Sequence, residues 1–218
     1  VFAGAGSKAT QALRLRTVRS LWDASYVDES WISTTGTASV NLIGRMREWV
    51  ATHYPGTRLA ITEYNFGALN HINGALAQVD VLGVFGREGV DLATLWAPPE
   101  SWAGDTGLFA DKPGDYAFRM FRNFDGAGGR FGDTSVATTS ADQGLLSIYG
   151  SIDSADGSLK IIVINKSDSP LTSSVVIGGF APAGPVKAYR YGSANLAAIE
   201  RDDLAVAGGA VTTTFAAQ

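Results

Sequence analysis

Cysteine is absent from the 218-residue chain, which rules out a disulfide framework and thiolate metal sites and leaves the redox compartment open. Histidine occurs only at His53 and His71, with neither G-x-S-x-G nor H-E-x-x-H nearby. Neither a serine triad nor a zinc centre is supported, and no metal or cofactor is expected. Clustered positive charge is also missing: 17 Lys and Arg stand against 21 Asp and Glu, so nucleic acid is not an expected partner. No segment approaches the roughly 20 apolar residues of a membrane span, and no membrane partner is expected. The opening Val1-Phe2-Ala3-Gly4-Ala5-Gly6 lacks a charged region and an apolar stretch, so any export signal is expected outside these residues. A hydrophobic content of 45% with 17% charged residues describes a folded chain, long enough for one large domain or two smaller ones.

Periodicity divides the chain. Leu42, Ile43, Met46, Trp49 and Val50 follow helical spacing up to Pro55-Gly56, and a strand is predicted at residues 58–64. Ile72, Ala75, Leu76, Val79, Leu82 and Gly83 mark a second helix that stops at Gly89, and a second strand follows at residues 90–96. Glu63 and Trp96, which close these strands, lie 33 positions apart, close to the roughly 30 residues per unit of a (β/α)₈ barrel. A third helix carries Ala117, Phe118, Met120, Phe121 and Phe124. After Gly132 the period becomes strand-like, with runs at residues 145–151, 159–165, 173–177, 186–191 and 211–215 separated by Gly, Asp, Ser and Pro. The expected fold is therefore α/β followed by β. Residues 1–128 form the C-terminal portion of a (β/α)₈ (TIM) barrel, and residues 129–218 form an antiparallel β-sandwich lacking its last strand. Gly126-Ala127-Gly128-Gly129 reads as the linker. Asp156-Gly157 reads as a hairpin turn, with Ca²⁺ at Asp153 and Asp156 the alternative.

Glu63 ends the apolar strand Leu59-Ala60-Ile61-Thr62-Glu63, where parallel barrels deliver catalytic groups. A carboxylate held there suits nucleophilic attack on an anomeric carbon, as in a retaining glycosidase, although a plain rim salt bridge would also place a Glu there. Trp96 at the neighbouring strand end offers a stacking face to a sugar ring, or caps the core. The loop from Ser20 to Ile32 brings Trp22, Tyr26, Asp28, Glu29 and Trp31 together; aromatics and acids of this kind suit an extended sugar chain, and core packing is the competing reading for Trp22 and Trp31. Trp102, beyond Pro98-Pro99, could line the same cleft.

Ser20-Leu21-Trp22-Asp23, Tyr26-Val27-Asp28-Glu29-Ser30-Trp31-Ile32, Arg45-Met46-Arg47-Glu48-Trp49, Ile61-Thr62-Glu63-Tyr64-Asn65, His71-Ile72-Asn73-Gly74-Ala75-Leu76-Ala77-Gln78, Phe85-Gly86-Arg87-Glu88-Gly89 and Leu95-Trp96 occur in this order. In order and spacing the chain resembles glycoside hydrolase family 44 from about Arg16 to Phe124. The resemblance implies a secreted, extracellular, retaining endo-β-1,4-glucanase acting on cellulose or xyloglucan backbones, monomeric when full length. It makes Glu63 the nucleophile, and places Trp96, Trp31, Tyr64, Asn65 and Trp22 as substrate-binding residues. The family's acid/base lies in an Asn-Glu-Pro context that does not occur here, and Ala97 stands where relatives tend to carry Asp. The chain taken alone is therefore expected to be inactive, with the acid/base on an upstream segment. A non-catalytic carbohydrate-binding protein on a decayed barrel is the alternative, and the β domain is expected to pack against the barrel.

Overall fold

The computed structural model describes residues 4–36, 38–97, 107–182 and 184–218; Trp102 and its loop lie outside them. Helix α1, Lys8–Thr17, begins where the Ser7 side chain accepts a hydrogen bond from the Thr10 N–H, as an N-cap does. Its sequence, KATQALRLRT, carries no apolar stripe, and it was not expected as a helix. Its buried residues are Arg14 and Leu15. Two short 3₁₀ segments follow, Val18–Leu21 and Trp31–Thr35, before α2, Leu42–His53.

Strand β1, Ala60–Tyr64, leads into helix α3, Ile72–Glu88, and then into strand β2, Leu92–Leu95. The two strands pair in parallel, so α3 is the crossover of a βαβ unit. Gly89 ends α3 in the left-handed region at φ +64°, with Val90 N–H returning to Phe85 O at 2.9 Å. A glycine is needed for that reversal. Helix α4, Pro113–Arg122, starts on a proline at its first turn. Phe124, expected on this helix, lies past its end and packs on Tyr189 at 4.7 Å between ring centroids.

The second half is antiparallel throughout its named strands. β3, Thr134–Val136, β4, Leu146–Ile152, and β5, Leu159–Asn165, form one sheet in that order. β6, Leu171–Val176, pairs with β9, Ala210–Phe215, while β7, Val186–Gly192, pairs with β8, Asn195–Leu204. Arg190 on β7 donates to Thr213 Oγ1 and Thr214 O on β9, which joins the two pairs. Strands β3 and β8 were not expected. β3 has three residues, and β8 (NLAAIERDDL) is charged and largely exposed, so neither shows an alternating apolar pattern. The segment from Asp153 to Gly157 is a turn between β4 and β5, closed by Gly157 N–H to Asp153 O at 2.8 Å, with Gly157 at φ +69°. Asp153 is paired with Arg130 at 3.2 Å and Lys160 at 3.9 Å, and no cluster fit for a metal occurs among the described residues.

The halves meet along α3. Val79, Val81, Val84 and Phe85 of α3 share a core with Tyr149, Ile162 and Ile164 of β4 and β5. Gly83 lets the two come together, because any Cβ there would overlap the Tyr149 ring. Beneath that contact Asp80 accepts from Tyr149 Oη at 2.7 Å and from Lys166 Nζ at 3.0 Å, with both charged side chains 3% exposed. Burial and the facing carboxylate push the Tyr149 hydroxyl well above its ordinary pKa, so it remains a donor. On the other side, Tyr116 of α4 stacks on Tyr191 at 4.6 Å and donates its hydroxyl to Ala197 O.

A buried ion pair costs desolvation that its partner offsets, so removing one member is far worse than removing both. Asp80→Ala is expected to lower unfolding free energy by about 3–5 kcal/mol in denaturant titrations. The double replacement Asp80→Leu with Lys166→Met is expected to lose less than Asp80→Ala alone, measured the same way.

Candidate active site

An unbroken strand would place Ile61 and Glu63 on one face, yet Ile61 is buried and Glu63 is exposed. The reason is a break in register. Ile61 pairs with Ala93 and Tyr64 with Leu95, so β1 uses one residue more than β2 over the same span, which is a β-bulge. Ile61 belongs to the core, and Tyr64 also turns inward: Gln78 Nε2 donates to its hydroxyl at 2.9 Å, and its ring meets Phe85 edge-on at 5.0 Å. The surplus residue leaves Glu63 on the opposite face, and Thr94 Oγ1 donates to Thr62 O across the bulge. Among the described residues no Lys or Arg forms a salt bridge with Glu63.

Trp96 follows directly on β2. Its N–H donates to Tyr64 O at 2.9 Å, and its carbonyl accepts from Asn65 Nδ2 at 2.7 Å. The residue is 39% exposed, so a carboxylate and a partly exposed tryptophan stand on adjacent strand ends. The loop leaving β1 is held from three sides. Asn65 Oδ1 accepts from Gly67 N–H at 2.6 Å, Arg14 Nε donates to Phe66 O at 2.9 Å, and Gly114 N–H donates to Leu69 O at 2.6 Å. Within it Ala68 is fully buried at φ +54°, a left-handed conformation that costs a non-glycine residue about 1 kcal/mol or more and persists only where surroundings impose it.

The other expected residues are placed differently. Tyr64 spends its ring and hydroxyl on α3, where burial raises its pKa, and Asn65 spends its amide on the loop and on Trp96. Both support the strand ends from within the scaffold. Trp22, expected in the cleft, packs against the core with the Arg87 guanidinium 4.3 Å over its ring. Arg87 is one residue from the C-terminus of the 17-residue α3, about 25 Å along the helix from the loop that Asn65 begins. Trp22 therefore packs against the core at the end of α3 away from that loop. Trp31 is 74% exposed on its own 3₁₀ segment, which Ser30 caps by accepting from Ile32 N–H.

Glu29, beside that segment, accepts from Arg16 at 2.6 and 2.7 Å and from Tyr26 Oη at 2.8 Å. The Arg16 fork holds its carboxyl at about 2, so it stays ionised and has no proton to give. Asp23, whose carboxylate accepts from Ser25 and Arg19, is likewise held below the usual range. Arg14, Thr94 and the bulge could not be found from sequence, because no local pattern signals which carbonyl a buried guanidinium will meet.

No family sequence model matches the chain. Endoglucanase A of Paenibacillus lautus is 37% identical over 184 residues, which is 82% of this chain and 25% of that protein. CelM2, a bifunctional glucanase-xylanase from a metagenome library, superimposes with a TM-score of 0.89 at 38% identity over 99% of this chain and 39% of its own. A Paenibacillus polymyxa xyloglucanase of glycoside hydrolase family 44 superimposes with a TM-score of 0.89 at 28% identity, over 100% of this chain and 41% of its own. A βαβ unit that ends in a carboxylate and an indole, joined to a β domain along α3, is thus a glycoside hydrolase architecture. The chain belongs to glycoside hydrolase family 44. It spans about a quarter of the curated relative and about two fifths of the solved ones.

Because the Glu29 carboxyl is held below its ordinary pKa, its stabilisation is full above the unfolded value and fades as pH falls toward about 2. The stability difference between the parent and Glu29→Gln is expected to be constant above about pH 5 and to shrink steadily below about pH 4, as read by thermal melts across pH.

Proposed function

We propose that this chain is part of a retaining endo-β-1,4-glucanase cutting cellulose or xyloglucan backbones, with Glu63 as its nucleophile. The observation that carries the reading is the bulge in β1, which delivers an exposed carboxylate beside Trp96 at the end of a parallel strand. In this reading the βαβ unit belongs to a closed (β/α)₈ barrel, residues 129–218 form a sandwich packed on it, and the protein is secreted. The relatives named endoglucanase, glucanase-xylanase and xyloglucanase supply the substrate class.

A Glu63 oxygen attacks the anomeric carbon as the glycosidic C–O bond breaks. A second carboxyl group protonates the leaving oxygen, water later attacks the glycosyl-enzyme ester, and the same second group accepts the water's proton. That second group must stand about 5–5.5 Å from Glu63. Neither Glu29 nor Asp23 suits it, both being held ionised. Trp96 offers its indole face to the apolar C–H face of the sugar beside the scissile bond, and Trp31 offers a further exposed face to a longer chain.

In the whole protein Glu63→Gln is expected to lower hydrolysis of carboxymethyl cellulose and xyloglucan by at least about 1,000-fold with an unchanged melting temperature. Glu63→Gly with azide is expected to yield a glycosyl azide of inverted anomeric configuration, identified by NMR. Activity within a few-fold of the parent for Glu63→Gln would overturn the assignment. A parent that binds glucan without cutting it would favour the non-catalytic alternative. Trp96→Ala is expected to reduce kcat/KM by roughly ten-fold, the equivalent of about 1.4 kcal/mol of lost stacking, with little change in melting temperature.

A further inference from the structure

Arg14 is fully buried on α1, yet it reaches the loop that follows Glu63. Its Nε donates to Phe66 O at 2.9 Å, its Nη1 to Asn73 Oδ1 and to Ala5 O at 3.1 Å, and its Nη2 to Gly4 O at 2.9 Å. Burial lowers its pKa without neutralising so strong a base. Asn73, the second residue of α3, is 2% exposed and has both ends of its amide engaged. Its Oδ1 accepts from Arg14, while its Nδ2 donates to Gln11 O at 3.2 Å and to Gln218 Oε1 at 2.8 Å. Its orientation is therefore fixed from both directions.

Gln218 belongs to the β half. Its backbone N–H donates to Ser167 O at 3.2 Å, and its Nε2 donates to Asp168 Oδ1 at 2.9 Å. The turn that carries Ser167 and Asp168 is clamped to the end of β9 by Asn165 Nδ2, which donates to Phe215 O at 3.1 Å and to Ala216 O at 2.9 Å. The same turn begins at Lys166, whose ammonium is locked on Asp80 of α3. A continuous set of hydrogen bonds thus runs from the β half, through Gln218, Asn73 and Arg14, to the Phe66 carbonyl three residues beyond Glu63.

We propose that this chain of contacts positions the nucleophile, so that the β half sets the placement of the Glu63 strand end through Gln218, Asn73 and Arg14. The inference rests on Glu63 being the nucleophile. Three residues span at most about 10 Å of extended chain, so a shift of the Phe66 carbonyl is felt at Glu63, and misplacement by about 1 Å can cost as much as 100-fold in rate. Lysine cannot replace Arg14, because a single ammonium cannot hold the Phe66 carbonyl and the Asn73 amide in the separate directions that the guanidinium fork serves.

The test uses the whole protein and a 2-deoxy-2-fluoro cellooligosaccharide carrying a 2,4-dinitrophenyl leaving group. A Glu63 oxygen bonds to the anomeric carbon, and dinitrophenolate departs without needing a proton, so the labelling rate reports the nucleophile's placement and not the acid's. Peptide mass spectrometry locates the label in the parent, and label on another residue overturns the Glu63 reading and this inference with it. With label on Glu63, Arg14→Lys is expected to reach full stoichiometry about ten-fold more slowly than the parent. Gln218→Ala, at the edge of the network, is expected to be slowed severalfold in the same way, and it keeps the test decisive if Arg14→Lys does not fold. Parent rates in both variants overturn the proposal. Reduced stoichiometry at the parent rate overturns it too, since that is the mark of a merely structural role. Slowing in Arg14→Lys alone overturns the part assigned to the β half.

Discussion

The ion pair between Asp80 and Lys166, with Tyr149 as a third partner, sits at the point where both halves of the molecule are anchored. Charges so buried are tolerable only when each finds partners of good geometry. Asp80 lies midway along α3, Tyr149 on β4 and Lys166 just past β5, so their meeting fixes the rotation of the helix against the sheet. Gly83, one turn further along α3, lets the Tyr149 ring lie directly on the helix backbone. A hydrophobic contact alone tolerates sliding by a residue, whereas a buried charge with two defined partners does not.

From that fixed helix the position of the strand ends follows. α3 carries Gln78 and Phe85, which draw Tyr64 inward, and the bulge that accompanies this turns Glu63 the other way. The loop after β1 is then constrained from α1, β2 and α4 at once, and the left-handed Ala68 is the local strain that such constraint sustains. For the nucleophile role proposed for Glu63, the oxygen must meet one carbon atom at one angle, and a rigid support removes the cost of finding that placement in each turnover. Within that support the Tyr64 hydroxyl accepts from Gln78 of α3, and Asn65 bonds across to the Trp96 carbonyl.

Much of the helix and strand order was readable because it depends on local periodicity. α2, α3, β1, β2, β4, β5, β6, β7 and β9 all fall within a few residues of their expected windows. α1 was not readable, since its buried side is occupied by an arginine, and a buried arginine looks like a surface residue until its carbonyl partners are known. β8 was missed for the related reason that a mostly exposed, charged strand shows no alternation. Among the candidate site residues, Glu63 and Trp96 were singled out by their place at the ends of apolar runs. The packing of Trp22 was not readable, because an aromatic beside acids in a loop gives no sign of which end of a helix the loop will reach.

The sequence by itself determined which segments are helical or extended and which family the chain resembles, because composition, period and motif spacing are properties of neighbours along the chain. Only the tertiary structure decided which way Glu63 faces, that Tyr64 meets α3 and Asn65 the Trp96 carbonyl, that Trp22 packs against the core, and that Gln218 is linked to the loop after Glu63. Those facts depend on a one-residue register break and on contacts between residues up to 145 positions apart. No local pattern encodes such meetings, since they are selected by the packing of α3 against both halves of the molecule.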